Sequence, residues 1–158
     1  MTVTTAYPAA GANSPVDGYI DRSPSPQETW ATIRGASAGT SVAVSDTTEL
    51  KARIQCGSAS PNYASMDRGI LLFDLSAVGD SDTKDSATLE LVAGGKSDVL
   101  SPAGSISMVA STPASNNNLV AGDYAQLGTT KQAADRTVAG ITVDITTPVY
   151  NAFTLNAA

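Results

Sequence analysis

The sequence has no histidine, one cysteine, two phenylalanines and one tryptophan, and only 15% of its residues are charged. Histidine is the one side chain whose unperturbed pKa falls between about 5 and 8. Without it there is no Ser-His-Asp or Cys-His catalytic arrangement and no imidazole ligand for zinc. A lone cysteine, Cys56, excludes an internal disulfide. The nine Lys and Arg residues are scattered singly in a chain of net charge −6. Phosphate backbones are bound by clustered cations, so nucleic acid is not expected as a partner. No apolar run approaches the roughly 20 residues that span a bilayer, so no membrane partner is expected either. The start, Met1-Thr-Val-Thr-Thr-Ala-Tyr-Pro8, lacks the basic and apolar parts of a signal peptide, which predicts synthesis in a cytoplasm without export. There is no Asn-x-Ser/Thr acceptor, because Asn13-Ser14 is followed by Pro15.

Carboxylate-pair chemistry needs no histidine. The glutamates, however, number only three, Glu28, Glu49 and Glu90, and Glu90 falls on an alternating run as a solvent-facing residue. Gly94-Gly95-Lys96-Ser97 ends like a phosphate loop but lacks the leading glycine, so it reads as a turn. The expectation is a protein that is not an enzyme and needs no cofactor.

What is present is alternation. The 158 residues, 42% hydrophobic and rich in Ala, Ser and Thr, fit one domain able to bury roughly two-thirds of its unfolded surface. Short period-two runs separated by Gly, Pro, Ser and Asn predict an all-β, antiparallel β-sandwich (jelly roll) with at most one or two short helical turns. Strands are expected at Val16–Arg22, Thr29–Arg34, Ser41–Ser45, Glu49–Cys56, Arg68–Leu75, Ser86–Ala93, Ser105–Ala110 and Ile141–Ile145. Ser41–Ser45 and Glu49–Cys56 are expected to pair with each other. In Leu50-Lys-Ala-Arg-Ile-Gln-Cys56 the alternation would place Leu50, Ala52, Ile54 and Cys56 inside. Pro113–Asn118 reads as a polar loop, and residues 118–132 could hold a helical turn with Asp123 or Thr129 as cap.

The apolar run Arg68-Gly-Ile-Leu-Leu-Phe-Asp-Leu75 has the length of a central strand. Phe73, Leu71 and Leu75 would fill one face, Ile70 and Leu72 the other. Asp74, if buried there, would need a partner, and Arg68 or turn amides could supply it. Trp30, after a Pro-rich turn, and Tyr63, in Ser60-Pro-Asn-Tyr63, are the best candidates for ligand-facing aromatics, although rings of that size also serve packing. Asp80-Ser-Asp82-Thr-Lys-Asp85 is the densest carboxylate group and a candidate for structural calcium, but without EF-hand spacing it equally describes a solvated turn.

Arg68-Gly-Ile-Leu-Leu-Phe-Asp-Leu-Ser76 followed by Asp85-Ser-Ala-Thr-Leu-Glu-Leu91 resembles the DNRLRE-type jelly-roll domains, a carbohydrate-binding-module-like β-sandwich group. Such domains recur in bacterial surface proteins and phage structural proteins. Asp17-Gly-Tyr-Ile20 is similar to the group's opening strand and Asp144-Ile-Thr-Thr147 to its late Asp-Val-Thr strand, so the likeness runs from about Val16 to Asn156. Gly122-Asp-Tyr-Ala-Gln-Leu-Gly-Thr129 and Tyr150-Asn-Ala-Phe-Thr-Leu-Asn156 resemble variants found in phage and phage-like genes. The leader, rich in small residues over Thr2–Ser14, predicts an extended N-terminal arm at residues 1–15 or a frayed terminus, and the resemblance implies one jelly-roll domain over 16–158. It further implies that closing strands are missing or are supplied by a neighbouring subunit. The function it implies is that of a virion structural protein made in the host cytoplasm. A capsid decoration (cement) protein would bind the major capsid protein, or other virion proteins, as a homo-oligomer; the alternative is a carbohydrate- or receptor-binding module of a tail fibre or surface protein, with a glycan as ligand.

Overall fold

A computed structural model describes residues 4–6, 17–44, 50–76, 78, 86–99, 103–144 and 146–156. Strand makes up 42% and helix 11%, in antiparallel sheets, so the fold is all-β as the alternation predicts. Most of the expected N-terminal arm lies outside the described residues; within residues 4–6, Thr4 and Thr5 are exposed. The chain groups into two compact units, Met1–Asp80 with Ser111–Leu127 and Ser81–Ala110 with Gly128–Ala158.

The first unit is built on a five-stranded sheet. Its strands are β1 (Asp17–Arg22), β2 (Glu28–Thr29), β3 (Ser41–Val44), β4 (Arg53–Cys56) and β5 (Asn62–Leu71). Met66 and Asp67 of β5 pair with β1 on one side and β4 on the other, so β5 is central. β3 takes the far side of β1, and β2 continues β1's line to meet Asn62 and Tyr63. Strands 3 and 4 therefore do not form the expected pair; each finds a longer neighbour in β1 or β5. Gly18 is required where it stands: its φ is +156°, and a Cβ there would lie 2.2 Å from the Ala43 carbonyl oxygen on β3.

Ile20 and Ile70 are fully buried together with Leu119 and Tyr124, and Val42, Met66, Leu72 and Leu127 pack around them. The cover over this face comes from α1 (Trp30–Gly35), the loop before residue 120 and the 3-10 turn Ala121–Ala125. The expected strand over Thr29–Arg34 is this helix. The Thr29 hydroxyl accepts a hydrogen bond from the Thr32 amide, capping the first turn, and Ile33 alone is buried. The turn expected near Asp123 is present. The buried Asp123 carboxylate accepts from the amides of Val120 (2.9 Å) and Ala114 (2.8 Å), while Thr129 lies in a strand.

The central run is shorter than expected. β5 ends at Leu71, which pairs with Asp17 of β1. Residues 72–75 leave the sheet, so Phe73 is only half-buried, Asp74 is exposed and Leu75 is 58% exposed. Cys56 is likewise exposed, as are Leu50 and Ala52, so the face expected inside over residues 50–56 lies largely at the surface, and the register of β4 on β5 shifts between Gln55 and Cys56.

In the second unit β6 (Ala87–Val92) pairs with β11 (Tyr150–Leu155), and β7 (Ser105–Ile106) with β10 (Arg136–Thr137). β8 (Val109–Ser111) pairs with β9 (Leu127–Lys131). Ala133, Ile141 and Phe153 form the buried centre, with Leu89, Leu91, Ile106 and Met108 against it. Ala87 is exposed near the end of its ladder. Residues 141–144 do not form a strand, and Ile145 lies outside the described residues. A 3-10 turn (Val138–Gly140) precedes them, and only Val143 bridges, to Ala93. Asp144 accepts from the amides of Thr146 and Thr147, both at 2.9 Å, and turns the chain. The buried Asn151 side chain accepts from the Thr142 amide at 2.8 Å and donates back to its carbonyl at 2.9 Å, satisfying groups that lack a strand partner.

Candidate functional site

Trp30 opens α1 and Tyr63 lies near the start of β5, 33 positions later in the chain, yet the two rings meet. Their centroids are 5.5 Å apart and their planes tilted by 54°, within the favourable range for an aromatic pair. Trp30 remains 44% exposed and Tyr63 half-buried. The corner is held from beneath. Glu28, opposite Tyr63, takes the Arg22 guanidinium, whose Nε lies 2.9 Å from Oε2, while Nη1 donates to the Ala38 carbonyl at 2.8 Å. The Gln27 side-chain oxygen accepts from the Ser58 amide at 3.0 Å, tying the turn before Tyr63 to the segment before Trp30. Thr29 and Thr32, on either side of Trp30 in the chain, are exposed, and Asn62 directly precedes Tyr63. The arrangement offers a partly exposed, tilted aromatic pair that can hold a ligand, and the exposed, free Cys56 stands opposite Tyr63 on β4. Glu28 is engaged by Arg22.

The signature residues fall elsewhere. Arg68, expected beside Asp74, points from β5 into the cover of the sheet. It donates to the carbonyls of Tyr124 and Arg34, both at 2.5 Å, and its guanidinium lies 4.0 Å from the Tyr124 ring centroid. The buried Tyr124 hydroxyl donates to the Ile33 carbonyl at 2.7 Å. Arg68 and Tyr124 thus satisfy the free carbonyls at the end of α1, where a cation also complements the helix dipole. Burial pushes the Tyr124 phenol above its ordinary pKa. Asp74 instead accepts from its own neighbour, the Ser76 amide, at 2.8 Å; hydrogen bonds from Ser76 hold its carboxyl below the usual range. Phe73 and Leu75 take no part in the clamp.

The calcium candidates Asp80, Asp82 and Asp85 lie outside the described residues. Among the described residues no group of three or more His, Cys, Asp or Glu side chains is gathered to hold a metal, and no helix is long and apolar enough to cross a membrane. Glu90 stands exposed on β6, as expected. Sequence reasoning missed Tyr124, Gln27 and a carboxylate pair, Asp21 and Asp67. The signal for the last was available. Tyr63, Ser65, Asp67 and Gly69 share a period of two, which extends the strand upstream of Arg68 and gives it a polar second face. No family model, curated protein or solved structure matches the chain.

Proposed function

We propose that this protein acts by binding, as a structural protein of a phage particle, and that it is a capsid decoration protein seated across neighbouring capsid subunits. The observation that carries the reading is the division of labour among its polar and apolar groups. The signature arginine is consumed in an internal clamp, while Val44 on the outer strand β3, Val120 and Leu75 are left at the surface. The outer side of β3 meets no strand among the described residues. Unpaired strand edges and apolar side chains are what strand addition and shell contacts use. A homo-oligomer around a symmetry axis would multiply such contacts through effective concentration. The test is co-sedimentation of the purified protein with purified phage heads assembled from a major capsid protein. Saturable binding and a higher temperature of shell opening are expected; absence from the pelleted heads at saturating concentration refutes the reading.

The Trp30–Tyr63 corner favours a second reading, glycan binding at a receptor-contacting tip. Pyranose rings stack their C–H faces on aromatic rings of this kind. Titrating the protein with a glycan panel while following Trp30 fluorescence distinguishes the two. A saturable shift that Tyr63→Ala removes supports the sugar module, whereas an unchanged spectrum across the panel counts against it.

A further inference from the structure

On the face of the first sheet away from its apolar core, Asp21 of β1 is directly opposite Asp67 of β5, and Arg53 of β4 is opposite Asp67 from the other side. The Asp67 side chain is fully buried, at 0% exposure. Arg53 places Nε 2.9 Å from Asp67 Oδ2 and Nη2 3.2 Å from Oδ1, and it reaches Asp21 Oδ1 at 3.8 Å. One guanidinium thus faces two carboxyl groups. Their other surroundings differ. The Ser23 hydroxyl lies 2.8 Å from both Asp21 oxygens and the Ser41 hydroxyl of β3 lies 3.4 Å from Oδ2. Asp67 Oδ2 has its charge contact with Arg53 but accepts no hydrogen bond. Further along the same face, Lys51 sits against the Tyr19 ring and hydroxyl.

We propose that Asp21, Asp67 and Arg53 form an acid-strengthened clasp that fastens the edge strand β4 to the sheet. Two adjacent carboxylates do not both ionise without cost, and the proton falls to Asp67, the one whose side chain is fully buried and shut off from water. With Asp67 neutral, the cluster holds one cation and one anion. Once Asp67 ionises, a second negative charge sits in the sheet beside Asp21, and Arg53, half in solvent, cannot neutralise both. Burial first, and then the Asp21 carboxyl, push the Asp67 carboxyl above its ordinary range, against the opposing pull of Arg53. The sign follows from linkage. A folded pKa above the unfolded one means that the folded protein holds the proton more tightly. The stabilisation is therefore complete below the ordinary aspartate range and is lost as pH rises through the raised value.

The test combines two measurements on the full chain. Carboxyl carbon NMR is used to follow each aspartate through a pH titration, and denaturant unfolding is run across the same pH range for the parent, Asp67→Asn and Asp21→Asn. Asp67 is expected to titrate above the ordinary aspartate range and to move down in Asp21→Asn. Asp67→Asn should lose the fall in stability that the parent shows over that interval, and should match or exceed the parent at neutral pH. An Asp67 that titrates in or below the ordinary range overturns the proposal. So does an Asp67→Asn protein less stable than the parent at every pH, which is the behaviour of a plain ion pair with Arg53. If Asp67→Asn does not fold, the titration of the parent chain decides.

Discussion

Replacing Arg68 tests how the helix and the 3-10 turn are fixed over the sheet. Its guanidinium makes two charge-assisted hydrogen bonds, to the carbonyls of Tyr124 and Arg34, and lies 4.0 Å from the Tyr124 ring. Bonds of that kind contribute about 1.5–3 kcal/mol each before the cost of desolvating the cation. A partly desolvated cation–π contact adds about 1 kcal/mol. Against this stands burial of the guanidinium, which pushes its pKa down and so measures a real penalty. The balance predicts a loss of about 3 kcal/mol for Arg68→Ala. Arg68→Lys keeps the charge but not the planar fork, and should recover less than half of that loss. Trp30 is the only tryptophan and the first residue of the clamped helix, so equilibrium urea unfolding followed by its fluorescence reads the clamp directly. A shift below about 0.5 kcal/mol for Arg68→Ala, or full rescue by lysine, would refute the reasoning. In either case the carbonyls would be satisfied by water, and α1 would be held by Ile33 alone.

Two further outcomes follow from individual side chains. Asp123→Asn keeps the shape but leaves only one oxygen for the two amides that the carboxylate now caps, and should cost about 1–2 kcal/mol in the same unfolding assay. The exposed Cys56 should react with a thiol reagent in the native state as fast as in the unfolded chain, and Cys56→Ser should change stability by less than about 0.5 kcal/mol; slow labelling that speeds up on unfolding would contradict its place at the surface.

The alternation in Asp17–Arg22 and Ala87–Val92 was legible because a strand with one buried face must place apolar residues at every second position, whatever pairs with it. The all-β class and the 3-10 turn at Asp123 were legible for the same kind of local reason, as was the prominence of Trp30 and Tyr63. Their meeting at 5.5 Å was not, since it depends on β2 closing onto the start of β5. The helix at Trp30–Gly35 was misread as a strand because a six-residue segment contributes too few turns to show a helical period.

The amino-acid order by itself determined the strand-rich class, the absence of imidazole chemistry and the faces of the regular strands, since each is set by residue type or by spacing within one segment. The tertiary structure alone decided where β5 stops, which way Cys56 points, that Arg68 serves carbonyls of α1 and not Asp74, and that Asp21 and Asp67 share one arginine. Those outcomes depend on register between segments distant in the chain. A backbone group takes whichever partner the sheet brings opposite it, and no pattern within a single segment records that choice.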